Sequence, residues 1–310
     1  MVKEEPFHFQ GAGPTAKSIF ARLWLPEGPP QAVLQICHGM GEHSARYADF
    51  AGYLCGLGFA VCCHDHRGHG QTVAAEEPRG YFGKRDGWGL LVNDALALGE
   101  ILQQRFPGLP LLLFGHSMGS FIASAMAARK GEGYAAFVFC GTGGPNPALP
   151  MGRAVAALAC LFGKGAKPNY FIQKLAFGSY NKKIDEAGSG SAWLSTDEAV
   201  VATYRADPLC GFCFTSRGFG DLFAGIAEVR NKRWAAKVPR RPILLVAGAE
   251  DPVGNYGKGV RWVYEQLLAA GNETVWMKLY PGMRHEILNE TGKQAVYADI
   301  GEWLKGVAHP

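Results

Sequence analysis

A serine hydroxyl is a weak nucleophile at its free pKa, and it attacks an acyl carbon only beside a base that takes its proton and a third group that orients that base. Ser117 stands where such chemistry is possible, in Gly115-His116-Ser117-Met118-Gly119. The apolar run Leu111 to Phe114 precedes it and the Ala-rich stretch Phe121 to Ala128 follows. This G-x-S-x-G pattern predicts a strand, a sharp turn and a buried helix, with glycines two residues to either side removing side chains that would collide. The turn lifts the hydroxyl clear of the sheet. It also leaves the Met118 amide at a helix start, where unpaired N–H groups and the helix dipole favour a developing negative charge.

Nine histidines compete for the role of base. His8 and His309 lie at the chain ends, and His116 adjoins the serine on a turn that should point the two apart. His285, in Tyr280-Pro281-Gly282-Met283-Arg284-His285-Glu286, follows the last expected strand. In an open α/β sheet that carboxyl edge is where ligands bind, and the strand leading to Ser117 ends there too. The acid should come from the preceding strand end, where Glu250 and Asp251 are adjacent. Asp251 is preferred because Pro252 biases it toward an extended backbone and its shorter side chain is held more rigidly; Glu250 is the alternative. The resulting order is Ser117, Asp251, His285. A second oxyanion donor is expected from His38-Gly39-Met40-Gly41, where the flanking glycines let the Met40 N–H turn toward the carbonyl opposite that of Met118, with His38 and His43 bracing the loop.

Two further patterns suggest metal chemistry and are set aside. His64-Asp65-His66-Arg67-Gly68-His69 approaches an H-x-H-x-D-H motif, but Gly68 stands where a second carboxylate belongs. A Gly-rich turn, with Asp65 and Arg67 bonded to nearby loops, is the preferred reading. Cys210-Gly211-Phe212-Cys213 is a lone CxxC with no second pair and no histidine near it in sequence.

Composition limits the partners. The 310 residues are 48% hydrophobic, enough for one large α/β domain, and the net charge of +4 brings no basic tract suited to nucleic acid. The start lacks a basic segment followed by an apolar one, and no apolar run approaches the roughly 18 residues that span a bilayer. A soluble cytoplasmic protein is expected. Its eight cysteines are too sparse for a disulfide scaffold, and reduced core thiols are the expected state.

The elements that must position these residues follow from hydrophobic patterning. Residues 5–10 and 17–25 read as an edge hairpin joined by Gly11-Ala12-Gly13-Pro14. Strands at 32–37, 59–63, 111–114 and 135–140 alternate with helices near 46–56, 88–106 and 117–130, which implies a mostly parallel, doubly wound sheet. The alternation stops at 145 and resumes with strands at 242–247 and 274–280 and helices near 256–270 and 292–306. The expected organisation is a core of 1–144 and 239–310 with an inserted helical cap at 145–238. Val155, Leu158, Ala159 and Phe162 share one helical face that would line an acyl pocket, rest on a membrane surface or pack on the core. Residues 151–240 hold 13 Lys/Arg against seven Asp/Glu, a balance suited to anionic interfaces.

Taken as a set, His38 to Tyr47 (HGMGEHSARY), Asp65 to Gly70 (DHRGHG), Gly115 to Gly119, Asp251-Pro252-Val253 and Pro281 to Glu286 (PGMRHE) resemble the monoacylglycerol lipase and lysophospholipase group of α/β-hydrolases, the serine aminopeptidase S33 type. The likeness covers about 15–145 and 240–305. It departs at Gln71-Thr72, where the family usually has a serine after the Gly-x-Gly turn. The resemblance implies an α/β-hydrolase fold and an acyl-enzyme hydrolase of single-chain lipid esters, with nucleophile Ser117, acid Asp251, base His285 and oxyanion amides at Met40 and Met118. Such chemistry requires no metal or organic cofactor. An S33 aminopeptidase, a short-chain carboxylesterase and an inactive binding protein on the same fold are the alternatives, and transient contact with a membrane surface through the cap is a further expectation.

Overall fold

The computed structural model describes residues 2–13, 17–184 and 190–308. Lys3–Gln10 (β1) and Ser18–Leu25 (β2) pair antiparallel, with Lys3 opposite Leu25; Pro14 of the expected turn lies outside the described residues. Ala32–Cys37 (β3), Phe59–His64 (β4), Leu111–His116 (β5), Ala136–Cys140 (β6), Ile243–Gly248 (β7) and Val275–Tyr280 (β8) complete one sheet in the order β1-β2-β4-β3-β5-β6-β7-β8. β2 joins β4 antiparallel, and every pair from β4 to β8 is parallel. All six parallel strands therefore end on one edge.

Both faces of this sheet are covered, which is why β3 to β7 are buried along their whole length and read as apolar runs, interrupted only by Gln35 of β3 and the terminal histidines of β4 and β5. Ala32, Leu34 and Ile36 share an apolar cluster with residues of Ala48–Gly56 (α1) and Lys293–Ala308 (α9). Val33 and Cys37, pointing the other way, join residues of Gly87–Arg105 (α2), Met118–Lys130 (α3) and Lys258–Ala269 (α8).

Two expected boundaries shift by two residues. The segment expected to open a helix at 46 begins as a 3-10 turn, Ser44–Tyr47, before α1. β5 runs on through Gly115 and His116, because these residues still pair with Cys37 and Cys140 on either side. Ser117 accordingly caps α3 instead of opening it.

Between β6 and β7 lie Leu149–Leu161 (α4), Tyr170–Phe177 (α5), Glu198–Ala206 (α6) and Ser216–Val229 (α7), and no described residue of 145–238 adds a strand to the sheet. α7 packs on α2 and α3 and carries α4 on its other side. Arg230, just after α7, is buried and spends its guanidinium on the Gly143 and Val229 carbonyls and the Ser124 and Thr142 hydroxyls. No carboxylate partner is recorded for it among the described residues, and burial pushes its pKa down to about 9.

Candidate active site

Ser117 sits at φ 53°, ψ −121°, a backbone conformation that a residue with a Cβ adopts only under strain. Its neighbours make the turn possible: a Cβ on Gly115 would overlap the Gly119 carbonyl, and one on Gly119 would overlap the Cys37 carbonyl. The Ser117 N–H is held by the Cys140 carbonyl at 2.9 Å, and the Ser120 hydroxyl donates to the Ser117 carbonyl at 2.6 Å. The Ser117 side chain makes no cap bond to α3, so its oxygen is left for other work. Met118 is the first residue of α3, where amides have no partner within the helix.

The loop after β3 passes directly over this serine. A Cβ on Gly39 would stand 3.2 Å from the Ser117 Cβ. The loop is shaped by its own side chains: Glu42 Oε1 accepts from the Gly39 N–H at 2.5 Å and from the Tyr47 hydroxyl at 2.9 Å. His38 is a brace, as expected, its Nδ1 at 2.8 Å from the Gly39 carbonyl and its Nε2 accepting from the His66 N–H at 3.0 Å. His43 braces outward, with Nε2 at 2.8 Å from Asp207 Oδ2.

His285 and Asp251 meet at the carboxyl ends of β8 and β7. The His285 Nδ1–H donates to Asp251 Oδ2 at 2.9 Å, a tautomer fixed by an acceptor-only carboxylate. The other carboxylate oxygen accepts from the Val253 N–H at 2.8 Å. Glu250, the alternative, is exposed. Burial pushes the His285 pKa down, but the Asp251 charge and hydrogen bond, with Glu286 and Glu42 beyond, outweigh it and hold the imidazole above its ordinary value. His116, expected to point away from Ser117, packs its ring 4.7 Å from that of His285. Burial and the neighbouring imidazole hold His116 well below the usual histidine range, so it stays neutral beside the pair.

Sequence reasoning missed the groups that join the two loops. Arg46 donates two bonds to Glu286, at 2.6 and 2.7 Å, and a third to Glu42 at 3.1 Å. A single half-buried guanidinium thus ties the Met40 loop to the residue after His285. Burial raises the Glu42 pKa, Arg46 opposes and Glu286 reinforces. Only their separation of 240 residues hid the Arg46–Glu286 pair; Glu42 and Arg46 lie four apart, a spacing readable as a helical ion pair.

The 145–238 segment roofs the site. The Trp193 ring lies 5.0 Å from that of His285, and the Trp193 and Leu194 carbonyls accept from the His285 and Glu286 N–H groups at 3.4 and 2.7 Å. Glu290 accepts from Ser195 Oγ at 3.0 Å and from the Arg284 N–H at 2.8 Å. Under this roof is a cavity of about 280 Å³ lined by Ser117, His285, Met40 and Met118 together with Leu149, Ile172, Phe177, Leu222, Phe223 and Val253. Of the helical face singled out in the sequence, none lines the cavity: Val155 packs against the apolar core, while Leu158 and Phe162 are exposed. α4 turns Leu149 and Gly152 inward in their place, because Gly152 packs its bare Cα against the Phe223 ring.

The histidine-rich turn is structural. His66 Nδ1 lies 2.9 Å from His64 Nε2, Asp65 accepts from the Ser44 and Gln71 N–H groups at 2.7 Å, and Arg67 pairs with Asp94. Thr72 uses its hydroxyl to bond the Asp65 carbonyl at 2.6 Å, so the departure from serine is absorbed. Burial pushes His64 and His69 down to about 4, and the four rings, His38 included, pack as neutral side chains.

An elbow serine, a histidine–carboxylate pair and a shared cavity at the carboxyl edge of an eight-stranded sheet define a hydrolytic enzyme of the α/β-hydrolase class. The family model described as serine aminopeptidase, S33, matches residues 28–292, and the chain belongs to that family. The chain is 30% identical over 307 residues to a monoacylglycerol lipase of Mycolicibacterium smegmatis, covering 98% of this chain and 99% of that one. It is 29% identical to the monoglyceride lipase of Homo sapiens, covering 92% and 86% of the two. Among solved structures, a thermostable carboxyl esterase from Bacillus coagulans in complex with glycerol superposes with a TM-score of 0.92 at 32% identity, covering 98% of this chain and 99% of that one.

Proposed function

We propose that the chain hydrolyses single-chain lipid esters, of monoacylglycerol or lysophospholipid type, through an acyl-enzyme on Ser117. The observation that carries this reading is the buried His285–Asp251 pair opening, with Ser117, onto one cavity whose walls are mostly apolar. His285 takes the Ser117 proton through Nε2 as the oxygen attacks the ester carbonyl, and Asp251 holds the imidazolium that forms. The Met40 and Met118 N–H groups receive the oxyanion, each worth about 3 to 4 kcal/mol in the barrier. His285 then gives its proton to the departing alcohol, and water repeats the cycle to free the acid. The names borne by the lipase and esterase relatives agree with ester cleavage.

Segment 145–238 acts in this reading as a cap that selects the acyl chain. A peptidase binding a free amine needs an unengaged carboxylate, and the two that line the cavity among the described residues, Glu42 and Glu286, are both bonded to Arg46. The cap also supplies a membrane contact: Leu158, Leu161, Phe162, Tyr170 and Phe171 are exposed, beside Arg153, Lys164, Lys167 and Lys174. No helix among the described residues is long and apolar enough to cross a membrane. We place the protein in the cytoplasm, and its eight free cysteines agree with a reducing compartment.

The test is a hydrolysis panel of monoacylglycerol, lysophospholipid, a short p-nitrophenyl ester and an aminoacyl anilide. Lipid esters should turn over fastest and Ser117→Ala should abolish all ester cleavage. Most activity surviving in Ser117→Ala, or faster anilide cleavage, overturns the proposal.

A further inference from the structure

The sequence offers Cys210 no histidine nearby, but the fold supplies one. His43 comes from the loop after β3, and Asp207 and Cys210 from the turn after α6. Their ligand atoms lie within 4.8 Å of one another, the one group of three such side chains brought together among the described residues. Asp207-Pro208-Leu209-Cys210-Gly211 is a tight turn closed by the Cys210 N–H to the Asp207 carbonyl at 3.0 Å, with Gly211 at φ 68° directly after. Such a turn presents two side chains three residues apart to one point, the spacing with which C-x2-C pairs hold zinc. Asp207 Oδ1 is fixed by the Leu209 N–H at 2.8 Å, which aims Oδ2 at His43 Nε2. His43 and Cys210 are buried, while the Asp207 side chain is 29% exposed and gives an ion a way in.

We propose that His43, Asp207 and Cys210 form a binding site for a borderline-soft divalent cation of the zinc class. One imidazole nitrogen, one carboxylate oxygen and one thiolate sulfur are the donors such an ion takes, with water in a fourth position. The carboxylate and thiolate together carry two negative charges against the ion's two positive ones, and the thiol proton leaves to solvent on binding. The four-histidine cluster does not bring three ligand atoms together in this way among the described residues, and most of its nitrogens are bonded to one another or to backbone. Bound here, the ion clamps the cap to the core where Gly211 N–H and the Tyr204 hydroxyl already bond the Gly41 carbonyl, at 2.9 and 3.0 Å. It takes no part in ester cleavage, and its binding is independent of that reading.

The experiment titrates the metal-free full chain with Co2+ as a spectroscopic probe, then displaces it with Zn2+. One equivalent should bind with a sulfur-to-cobalt charge-transfer band. Cys210→Ser should abolish the band, Cys213→Ser should keep it, and Asp207→Asn or His43→Gln should weaken binding at least about tenfold. Zn2+ should raise the Tm of the wild type and raise that of Asp207→Asn by less. Absence of the band, its survival in Cys210→Ser, or a zinc-induced Tm rise undiminished in Asp207→Asn overturns the proposal.

Discussion

His285 carries the pH dependence of the proposed reaction. It accepts the Ser117 proton only when neutral, and the Asp251 charge favours its protonated form. Activity is therefore absent at low pH and rises as pH climbs through a value above histidine's ordinary ~6.5. A kcat/KM profile measures that midpoint, and one at or below the ordinary value contradicts the assignment. Asp251→Asn removes the charge, moves the midpoint down and lowers kcat by about four decades. Arg46 is a different case. Arg46→Met strands Glu42 and Glu286, both buried, without their cation. A loss of about 3 to 5 kcal/mol in denaturant unfolding is expected. The serine and the His285–Asp251 pair were legible in the sequence because a tight turn and a strand-end loop each leave a short local pattern. The Arg46–Glu286 bridge and the His116 ring contact left none, since both are made only when loops distant in sequence meet.

At the scale of elements, α3 and β3 are the tightest fit near the site. Gly119 approaches the Cys37 and His38 carbonyls so closely that Gly119→Ala must push the helix start away from the sheet. About 1 to 3 kcal/mol of stability should be lost, read from the shift in denaturation midpoint. α4 and α5 pose the opposite situation, with apolar side chains facing solvent. Replacing Leu161, Phe162 and Phe171 by serine should reduce flotation with anionic vesicles while leaving short-ester hydrolysis unchanged, because none of the three lines the cavity. The sequence placed the sheet's strands to within a residue or two, since strands buried on both faces are mostly apolar runs. It did not tell which face of α4 looks inward. Helical periodicity marks an apolar stripe, but whether that stripe meets protein or water depends on α7, whose place on α2 and α3 is a tertiary fact.

For the whole molecule, the 145–238 segment and the sheet share one apolar cluster: Phe214, Phe219 and Val229 belong to the same buried group as Leu91 and Phe137. Unfolding by denaturant should then be a single transition, with tryptophan fluorescence and circular dichroism coincident, and a separate early loss of the segment would contradict that continuity. The seat of the His285 loop bears on how a lipid gets in. Main-chain bonds to the Trp193 and Leu194 carbonyls, and the Glu290 carboxylate beneath Ser195 and Thr196, rivet this part of the roof to the His285 loop. If that part swings outward, the imidazole swings with it and turnover stops. In the proposed reaction the substrate would then pass on the side of α4 and α5, where Leu158, Leu161, Phe162, Tyr170 and Phe171 are exposed.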